Sequence, residues 1–319
     1  MAANPWRHLL AALLVCLPGL PVAEEGTPHH WLDRMNDAVR QLDYEGRFVV
    51  QIGDHLDAMY LVHRVVDGVE KERLVSLTGD VREVIRSDEA VACLVPGRDK
   101  HINVGRRANE QSFSPLRGVS AAQLSRFYRM QTLGSDRVAG RLAVEVLIEP
   151  QDDLRFGYRL FLDHDTALPL RSVMIDEQGA VVSQSMFVDL KTDGQITPIE
   201  YDISAMQLAR ASQHPPMSSA RLSQPGWLVS SVPPGYQLNV HRRRAVAEGM
   251  REHLVYSDGL ATVSVYVQPA RGDAIKGVQM VGAARAIGRL IGDYEVVVIG
   301  EVPLKTLQWF AQHIAAKDS

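Results

Sequence analysis

Cysteine is scarce in this chain, with two among 319 residues. Cys16 falls inside an N-terminal apolar run, which leaves Cys93 as the only cysteine of the remaining sequence. A single thiol cannot form an internal disulfide. No histidine or carboxylate accompanies Cys93 over residues 90–96, and this context favours a buried structural thiol over a reactive nucleophile.

Long apolar runs are also absent, apart from twelve mostly apolar residues at positions 9–20. Basic Arg7 precedes this run, and the small residue Ala23 follows it. Twelve residues are too few to cross a bilayer, which requires about 20. The pattern is typical of a cleaved secretory signal peptide over residues 1–23, and it predicts an exported protein in an oxidising compartment.

Motifs for catalysis and phosphate binding are missing. There is no G-x-S-x-G elbow, no H-E-x-x-H pair and no G-x-x-x-x-G-K-[ST] loop. The strongest metal candidate, Asp163-His164-Asp165, falls between two strand-like segments, where aspartate commonly caps its own turn. The sequence therefore predicts a binding protein with no catalytic residue, no metal and no cofactor. An envelope hydrolase with scattered catalytic residues is the remaining alternative.

The larger part of the chain lacks a basic excess. Residues 24–205 contain 30 acidic and 21 basic residues, a balance of −9, whereas residues 227–319 contain 8 acidic and 10 basic residues, a balance of +2. Nucleic-acid binding requires a basic surface that neutralises phosphates. The acidic balance argues against nucleic acid as the main partner.

Alternation of apolar and polar residues dominates the first part of the chain and predicts strands. The clearest region is an antiparallel meander over residues 154–190, where apolar residues share one face and Arg155 and Arg159 lie on the solvent face. Strand-like segments span residues 46–52, 58–66, 70–77, 83–86, 90–95, 137–149, 154–162, 168–176 and 180–190. Helical spacing predicts helices over residues 31–42 and 114–130. A large open antiparallel sheet is expected, and its apolar face needs a helix, a second sheet or a ligand as a cover.

A change of composition separates the first part from the second. Residues 206–225 contain no acidic residue, three prolines and four serines, which predicts an extended linker. Beyond it, strands are predicted over residues 227–232, 237–244, 253–257, 261–268 and 295–300, and helices over residues 282–291 and 304–314. The sequence thus divides into a signal peptide (1–23), an open β-barrel domain (24–205), the linker (206–225) and a small α+β domain (226–319).

Blocks of residues from both predicted domains occur in the same order in one protein family. They are Trp31-Leu32-Asp33-Arg34-Met35, Tyr44-Glu45-Gly46-Arg47-Phe48-Val49-Val50, His63-Arg64-Val65, Glu72-Arg73-Leu74, Arg137-Val138-Ala139-Gly140-Arg141, Phe156-Gly157-Tyr158-Arg159-Leu160, Leu162-Asp163, Pro233-Pro234-Gly235-Tyr236, Ser257-Asp258-Gly259-Leu260-Ala261 and Gly300-Glu301-Val302-Pro303-Leu304. Through them the chain resembles the RseB/MucB family, regulators of the envelope-stress sigma factor of Gram-negative bacteria. The resemblance implies a mostly β fold: an open half-barrel similar to the LolA/LolB lipoprotein carriers, with helices on its concave face, followed by a small α+β domain.

The chain departs from the family pattern at two positions. Ala167 stands where the family usually has glycine after threonine. Because alanine tolerates a positive φ poorly, we expect the turn after Leu162 to close differently. Val50 stands where an aromatic residue is frequent, which removes a ring from the expected concave face.

The resemblance also implies a function. Such a protein is a periplasmic negative regulator that binds the periplasmic segment of a membrane anti-sigma factor of the RseA/MucA type and shields it from regulated proteolysis. Lipopolysaccharide or another lipid is the implied release signal. The alternative is a periplasmic lipid or lipoprotein-binding carrier without an anti-sigma partner. The sequence leaves open whether the protein forms a homo-oligomer.

Two sets of side chains are candidates for these contacts. Apolar candidates for binding a ligand on the concave face are Phe48, Val50, Tyr60, Val62, Phe156, Tyr158 and Leu160. The alternative is a purely structural role: the helix over residues 31–42 fills the same space, and these side chains are part of the core. Basic candidates for binding the partner are Arg210, Arg221, Arg242, Arg243 and Arg244, although ordinary solvated charge explains them equally well.

Overall fold

In the computed structural model the described residues are 26–80, 83–87, 90–94, 118–199, 226–246, 249–270, 275 and 277–317. Three predictions lie outside them: the signal peptide over 1–23, the linker over 206–225 with Arg210 and Arg221, and the first part of the helix over 114–130. The predicted burial of Cys93 also stays a prediction, because only the backbone of its strand is described. Among the described helices, none combines the length and the apolar character that crossing a bilayer requires.

The described residues of the first part of the chain form one antiparallel sheet of ten strands. Their order is β5-β4-β3-β2-β1-β10-β9-β8-β7-β6, so sequence neighbours pair except where β1 meets β10. Among the described strands β5 and β6 remain edges, and the predicted open, antiparallel sheet is confirmed. The strands are β1 (Tyr44–Ile52), β2 (His55–Val66), β3 (Val69–Ser76), β4 (Glu83–Ser87), β5 (Ala90–Leu94), β6 (Tyr128–Val138), β7 (Arg141–Pro150), β8 (Gly157–Asp163), β9 (Pro169–Ile175) and β10 (Val181–Lys191).

One long helix, α1 (Pro28–Gln41), covers one face of this sheet, which we call the inner face. The helix begins after Thr27, whose side chain accepts a hydrogen bond from the backbone N–H of His30. A short second helix, α2 (Ala121–Leu124), packs into the same core. The buried residues that α1 adds to this core are Trp31, Leu32, Met35, Ala38 and Val39. The helix predicted over residues 31–42 is confirmed, and it is the cover that the apolar face required.

The second part of the chain forms an antiparallel six-stranded sheet with the order β12-β13-β14-β17-β16-β15. The helix α3 (Leu304–His313) packs on one face, where Phe310 contacts Tyr256 and Tyr236. The strands are β12 (Gln237–Val246), β13 (Gly249–Ser257), β14 (Thr262–Pro269), β15 (Val278–Val281), β16 (Ala284–Ile291) and β17 (Tyr294–Gly300), and β11 (Trp227–Val229) pairs separately with β18 (Ile314–Ala316). The predicted small α+β fold is confirmed.

Three predicted elements are wrong. Residues 137–149 are not one strand, because Ala139 and Gly140, with φ values of 49° and 76°, form the turn between β6 and β7. The helix over 114–130 is reduced, within its described residues, to α2, and Tyr128 already begins β6. The helix over 282–291 is the strand β16, which pairs with β15 on one side and β17 on the other. Pairing on both edges outweighs the helix propensity of its alanines.

Candidate functional site

Arg155 lies at the centre of the contact between the two parts of the chain, which we call the junction. It is 1% exposed. Its Nη1 atom lies 2.9 Å from Oδ2 of Asp258, and its Nε atom lies 3.1 Å from Oδ1 of Asp152. Its Nη2 atom donates a hydrogen bond of 2.7 Å to the carbonyl oxygen of Pro234. One side chain from the first part thus holds two separate turns of the second.

The carboxylate of Asp258 is shared between its own turn and the first part of the chain. Its Oδ1 atom accepts hydrogen bonds from the backbone N–H groups of Leu260 and Ala261, at 2.9 and 2.7 Å. Its Oδ2 atom accepts a hydrogen bond of 3.1 Å from the hydroxyl of Tyr128. Burial, reinforced by the charge of Asp258, raises the pKa of Tyr128 far above its ordinary value. The hydroxyl therefore stays protonated and remains a donor.

Aromatic rings surround the guanidinium of Arg155. Its Cζ atom lies 4.9 Å from the ring centre of Phe127, 5.2 Å from that of Tyr236 and 5.7 Å from that of Tyr128. Cation–π contacts stabilise a guanidinium that has lost its water. Phe127 also packs against Gly235, which has a φ of 86° and where a Cβ atom would lie 2.7 Å from the ring. The turn at Gly235 fits here only without a side chain.

The backbone and the apolar core continue the junction. The carbonyl oxygen of Leu154 accepts hydrogen bonds from the hydroxyls of Tyr236 and Thr306, at 3.2 and 2.7 Å. Lys305 at the start of α3 pairs with Asp153. Leu260 packs against the core cluster of the ten-stranded sheet. Polar and apolar contacts together hold the two parts in one relative position.

Sequence reasoning missed the junction and was wrong about Arg155. The alternation of residues 154–162 placed it on the solvent face with Arg159, but β8 begins only at Gly157. Arg159 does lie at the surface, where it pairs with Glu145 at 2.6 Å. The available signal was indirect: the blocks over residues 233–236 and 257–261, which carry the family resemblance, are the turns that Arg155 contacts.

Five of the seven apolar candidates belong to the core that α1 covers. Phe48 packs edge-to-face on Phe187 with 5.7 Å between ring centres. The five residues are Phe48, Val50, Phe156, Tyr158 and Leu160, of which only Val50 is partly exposed. Helix α1 occupies the space that a ligand would need, so their role in binding a ligand stays a prediction.

Tyr60 and Val62 do not share the inner face, and their prediction as part of it is wrong. In the register of β1 and β2, Tyr60 lies opposite Arg47 and Val62 opposite Glu45, whereas inner-face Phe48 lies opposite Met59. Directly paired residues point to the same side of a sheet. Accordingly, the Tyr60 hydroxyl donates to Glu45 at 3.3 Å. The β2 residues on the inner face are Met59 and Leu61, each one position before a predicted residue.

The three arginines of β12 do not form one patch. Arg243 faces the α3 side, where its Nε atom lies 3.1 Å from Oε1 of Glu252, a carboxylate that also accepts the backbone N–H of Gly226. Arg242 and Arg244 point to the opposite face, as strand alternation requires, and both are exposed. Their role as partner contacts stays a prediction, and only these two could act together.

The turn interpretation of the metal candidate is confirmed. The Oδ1 atom of Asp163 accepts hydrogen bonds from the backbone N–H groups of Asp165 and Thr166, at 3.1 and 2.8 Å. Burial opposes ionisation, but the ion pair with Arg141 and the hydrogen bonds from Thr166 lower the pKa of Asp163. Ala167 adopts a φ of 62°, the left-handed conformation that favours glycine. Within the described part of the chain, no cluster of three or more histidine, cysteine, aspartate or glutamate side chains could hold a metal.

Comparison with known proteins finds relatives for both parts. The family model for the MucB/RseB N-terminal domain matches residues 27–210, and that for the MucB/RseB C-terminal domain matches residues 221–315. The chain is 32% identical over 319 residues to the sigma factor AlgU regulatory protein MucB of Pseudomonas aeruginosa, covering 96% of each protein. It is 29% identical over 320 residues to the sigma-E factor regulatory protein RseB of Haemophilus influenzae, covering 98% of this chain and 99% of that protein.

Solved structures extend the similarity to three dimensions. The structure of the Pseudomonas aeruginosa MucA/MucB complex matches with a TM-score of 0.71 at 30% identity, covering 92% of this chain and 99% of that chain. A crystal structure of MucB in complex with MucA(peri) matches with a TM-score of 0.69 at 29% identity, covering 92% of this chain and 100% of that chain. Because each match covers 92% of this chain, it includes both the ten-stranded and the six-stranded sheet.

Proposed function

This chain belongs to the MucB/RseB family, and we propose that it is a periplasmic regulator that binds the extracytoplasmic segment of a membrane anti-sigma factor. Bound to that segment, the protein shields it from the proteases whose cuts would release the sigma factor. Shielding requires no catalytic residue, because occupancy alone lowers the cleavable fraction in proportion to affinity and concentration. The apolar run over residues 9–20 supports export to the periplasm.

One observation carries this proposal: the chain matches MucB, as solved in its complex with MucA, over 92% of its length at 30% identity. The junction adds a physical argument. Arg155 and Asp258 bring the two sheets into one fixed relation, so a partner that touches both parts meets a preorganised surface. Preorganisation lowers the entropy that binding must offset.

A protease protection assay tests the proposal. The chain from Glu24 onward is mixed with the purified extracytoplasmic segment of the anti-sigma factor encoded with it, and the first-acting protease is added. We expect cleavage to slow in proportion to the bound fraction, which is measured separately by fluorescence anisotropy. An unrelated substrate of the same protease should be cut at an unchanged rate. If the segment is cut equally fast when the regulator is in large excess, the proposal fails.

Release by a lipid is the second element of the proposed function. The inner face carries Phe48, Tyr158 and Leu160 under α1, and an acyl chain that entered this core would have to replace the helix. Adding lipopolysaccharide to the preformed complex should then restore cleavage, whereas the delipidated polysaccharide should not. Equal effects of both preparations would remove the acyl chain from the mechanism and leave the shielding function intact.

A further inference from the structure

The two edges of the six-stranded sheet differ in their chemistry. One edge is β12, which carries Arg242, Arg243 and Arg244. The other edge is β15, with the sequence Val-Gln-Met-Val, and all four of its residues are exposed. Natural proteins protect edge strands with charges, prolines or bulges, because an open edge pairs with other chains. Strand β12 has such charges, and β15 has none of these devices.

The exposure of β15 is large for apolar side chains. Val278 is 50% exposed, Met280 63% and Val281 55%. Among the described residues β15 pairs only with β16, and no described strand pairs with its other side. An extended peptide can add to such an edge through main-chain hydrogen bonds, while alternate side chains give specificity.

The position of β15 places this edge beside the junction. Met280 lies opposite Arg285 in the register with β16, and Val278 lies opposite Ile287. The guanidinium of Arg285 in turn lies over the ring of Phe156, 5.7 Å from its centre, and Phe156 belongs to the first part of the chain. A segment that binds along β15 therefore passes from the six-stranded sheet toward the ten-stranded sheet.

Positive charge accompanies the apolar edge. Arg285 and Arg289 share a face of β16, and neither pairs with a carboxylate among the described residues. Arg289 donates instead to the carbonyl oxygen of Ala311 at 2.6 Å, and Arg285 contacts a ring. The edge therefore favours a segment that combines apolar side chains with carboxylates.

A second copy of the chain does not suit this edge as its main contact. Four residues extend about 14 Å along a strand. With side chains about 10 Å across, two such edges bury roughly 300 Å² in total, against the roughly 1,200 Å² or more typical of a stable interface. An extended segment that is also held elsewhere on the protein avoids this limit, because its other contacts supply the remaining affinity.

We propose that β15 is the docking edge for an extended, acidic and apolar segment of the anti-sigma partner, which adds as a seventh strand to the six-stranded sheet. Alternate apolar side chains of the segment lie on Val278 and Met280, and a carboxylate pairs with Arg285. The inference rests on the proposed function and names the surface that performs it.

The test compares a variant of β15 with a matched variant of the opposite edge. Val278→Glu combined with Met280→Glu places negative charge on β15, where it removes the apolar contact and repels an acidic segment, and Leu238→Glu places the same charge on β12, where Leu238 is 43% exposed. Binding of the purified extracytoplasmic segment is measured by isothermal titration calorimetry. We expect affinity to fall about tenfold or more for the double variant, which corresponds to about 1.4 kcal/mol, and to change less than about twofold for the control. Circular dichroism checks that both variants are folded.

Hydrogen exchange locates the contact independently of mutation. In the wild-type protein, addition of the segment should slow exchange of the amides of β15 and leave those of β12 unchanged. Wild-type affinity in the double variant, or unchanged exchange in β15, overturns the docking edge while the proposed function stands. Failure of the wild-type protein to bind the segment at all overturns the proposed function as well. Analytical ultracentrifugation without the segment tests the remaining occupant, a second copy of the chain. If the wild-type protein is a dimer and the double variant is a monomer, the edge belongs to a second copy and the proposal is overturned.

Discussion

The carboxylate of Asp258 and the guanidinium of Arg155 form an ion pair of 2.9 Å in which both side chains are fully buried, although Arg155 belongs to the first part of the chain and Asp258 to the second. A buried pair of this kind is not a strong net source of stability, because both ions lose their water. Removal of one partner is nevertheless severe, since the other charge stays buried and unpaired. The pair therefore makes the relative position of the two parts specific.

Asp258→Ala should release this coupling. We expect the free energy of unfolding to fall by about 3–5 kcal/mol, because Arg155 keeps its burial and loses its main counter-ion. Denaturant unfolding followed by tryptophan fluorescence and circular dichroism measures the loss. The matched control is Glu149→Ala, which breaks the exposed pair of Glu149 with Arg129, whose side chains are 51% and 66% exposed. It should cost less than about 1 kcal/mol. Equal losses for the two variants would contradict the role of the junction.

Gly235→Ala should destabilise the junction through two separate effects. The φ of 86° is unfavourable for any side chain, and the new Cβ atom would lie 2.7 Å from the ring of Phe127. Together we expect a loss of about 2–5 kcal/mol in the free energy of unfolding. Gly259→Ala is the control, because Gly259 has a φ of 107° but no atom within 4 Å of the position that a Cβ atom would take. It should lose only the backbone contribution of about 1–2 kcal/mol.

The two contributions at Gly235 can be separated by a double-mutant cycle. Phe127→Ala removes the ring against which the new methyl group would press. In that background Gly235→Ala should cost no more than Gly259→Ala does in the wild-type protein. A loss that is unchanged by removal of the ring would mean that backbone strain alone accounts for the effect.

Asp163→Asn should weaken the turn after β8 in a pH-dependent way. The pKa of Asp163 is lowered in the folded protein, so its ionised form contributes stability above the unfolded pKa of about 3.9, and this contribution is lost as the pH falls through the folded pKa. We expect a loss of about 2 kcal/mol at pH 7, as for a buried charged hydrogen-bond acceptor. The difference between wild-type and variant proteins should shrink as the pH falls below about 4, measured by urea unfolding at several pH values. A difference that stays constant down to about pH 2 would contradict the ionised role of Asp163.

Ala139→Asn should stabilise the turn between β6 and β7. Ala139 adopts a φ of 49° before Gly140 at 76°, and asparagine accepts this conformation better than alanine. A gain of about 0.5–1 kcal/mol in the free energy of unfolding is expected from thermal denaturation. The control is Asp67→Asn in the turn between β2 and β3, where Asp67 has a φ of 54° before Gly68. Because aspartate already suits this position, that variant should be nearly neutral.

Most of the sheet architecture follows from local patterns, whereas the site does not. The helix α1 was predictable because Trp31, Met35 and Val39 repeat at helical spacing, and this spacing dictates burial on one side. The burial of Arg155 was not predictable from alternation, because its partner Asp258 lies 103 residues further along the chain and only the tertiary fold brings them together. Long-range ion pairs leave no periodic signal in a sequence.

The assignment of faces failed where it depended on the register of neighbouring strands. Tyr60 was grouped with Phe48 as an apolar residue of the concave face, yet Phe48 pairs with Met59. A shift of one residue exchanges the two faces of a strand. The strand β16 was mistaken for a helix because its pairing with β15 and β17 cannot be read from the segment itself.

The burial of Trp31 in α1 gives the protein an intrinsic optical probe. Trp31 is the only tryptophan between residues 24 and 205, and it is 6% exposed beneath the helix, close to the ring of His164. If the helix left the inner face, this indole would pass from an apolar environment into water, and its emission would shift to longer wavelength. In the chain from Glu24 onward, with Trp227 and Trp309 replaced by phenylalanine, Trp31 is the remaining tryptophan, and its emission would follow the movement of α1 in real time without any attached dye.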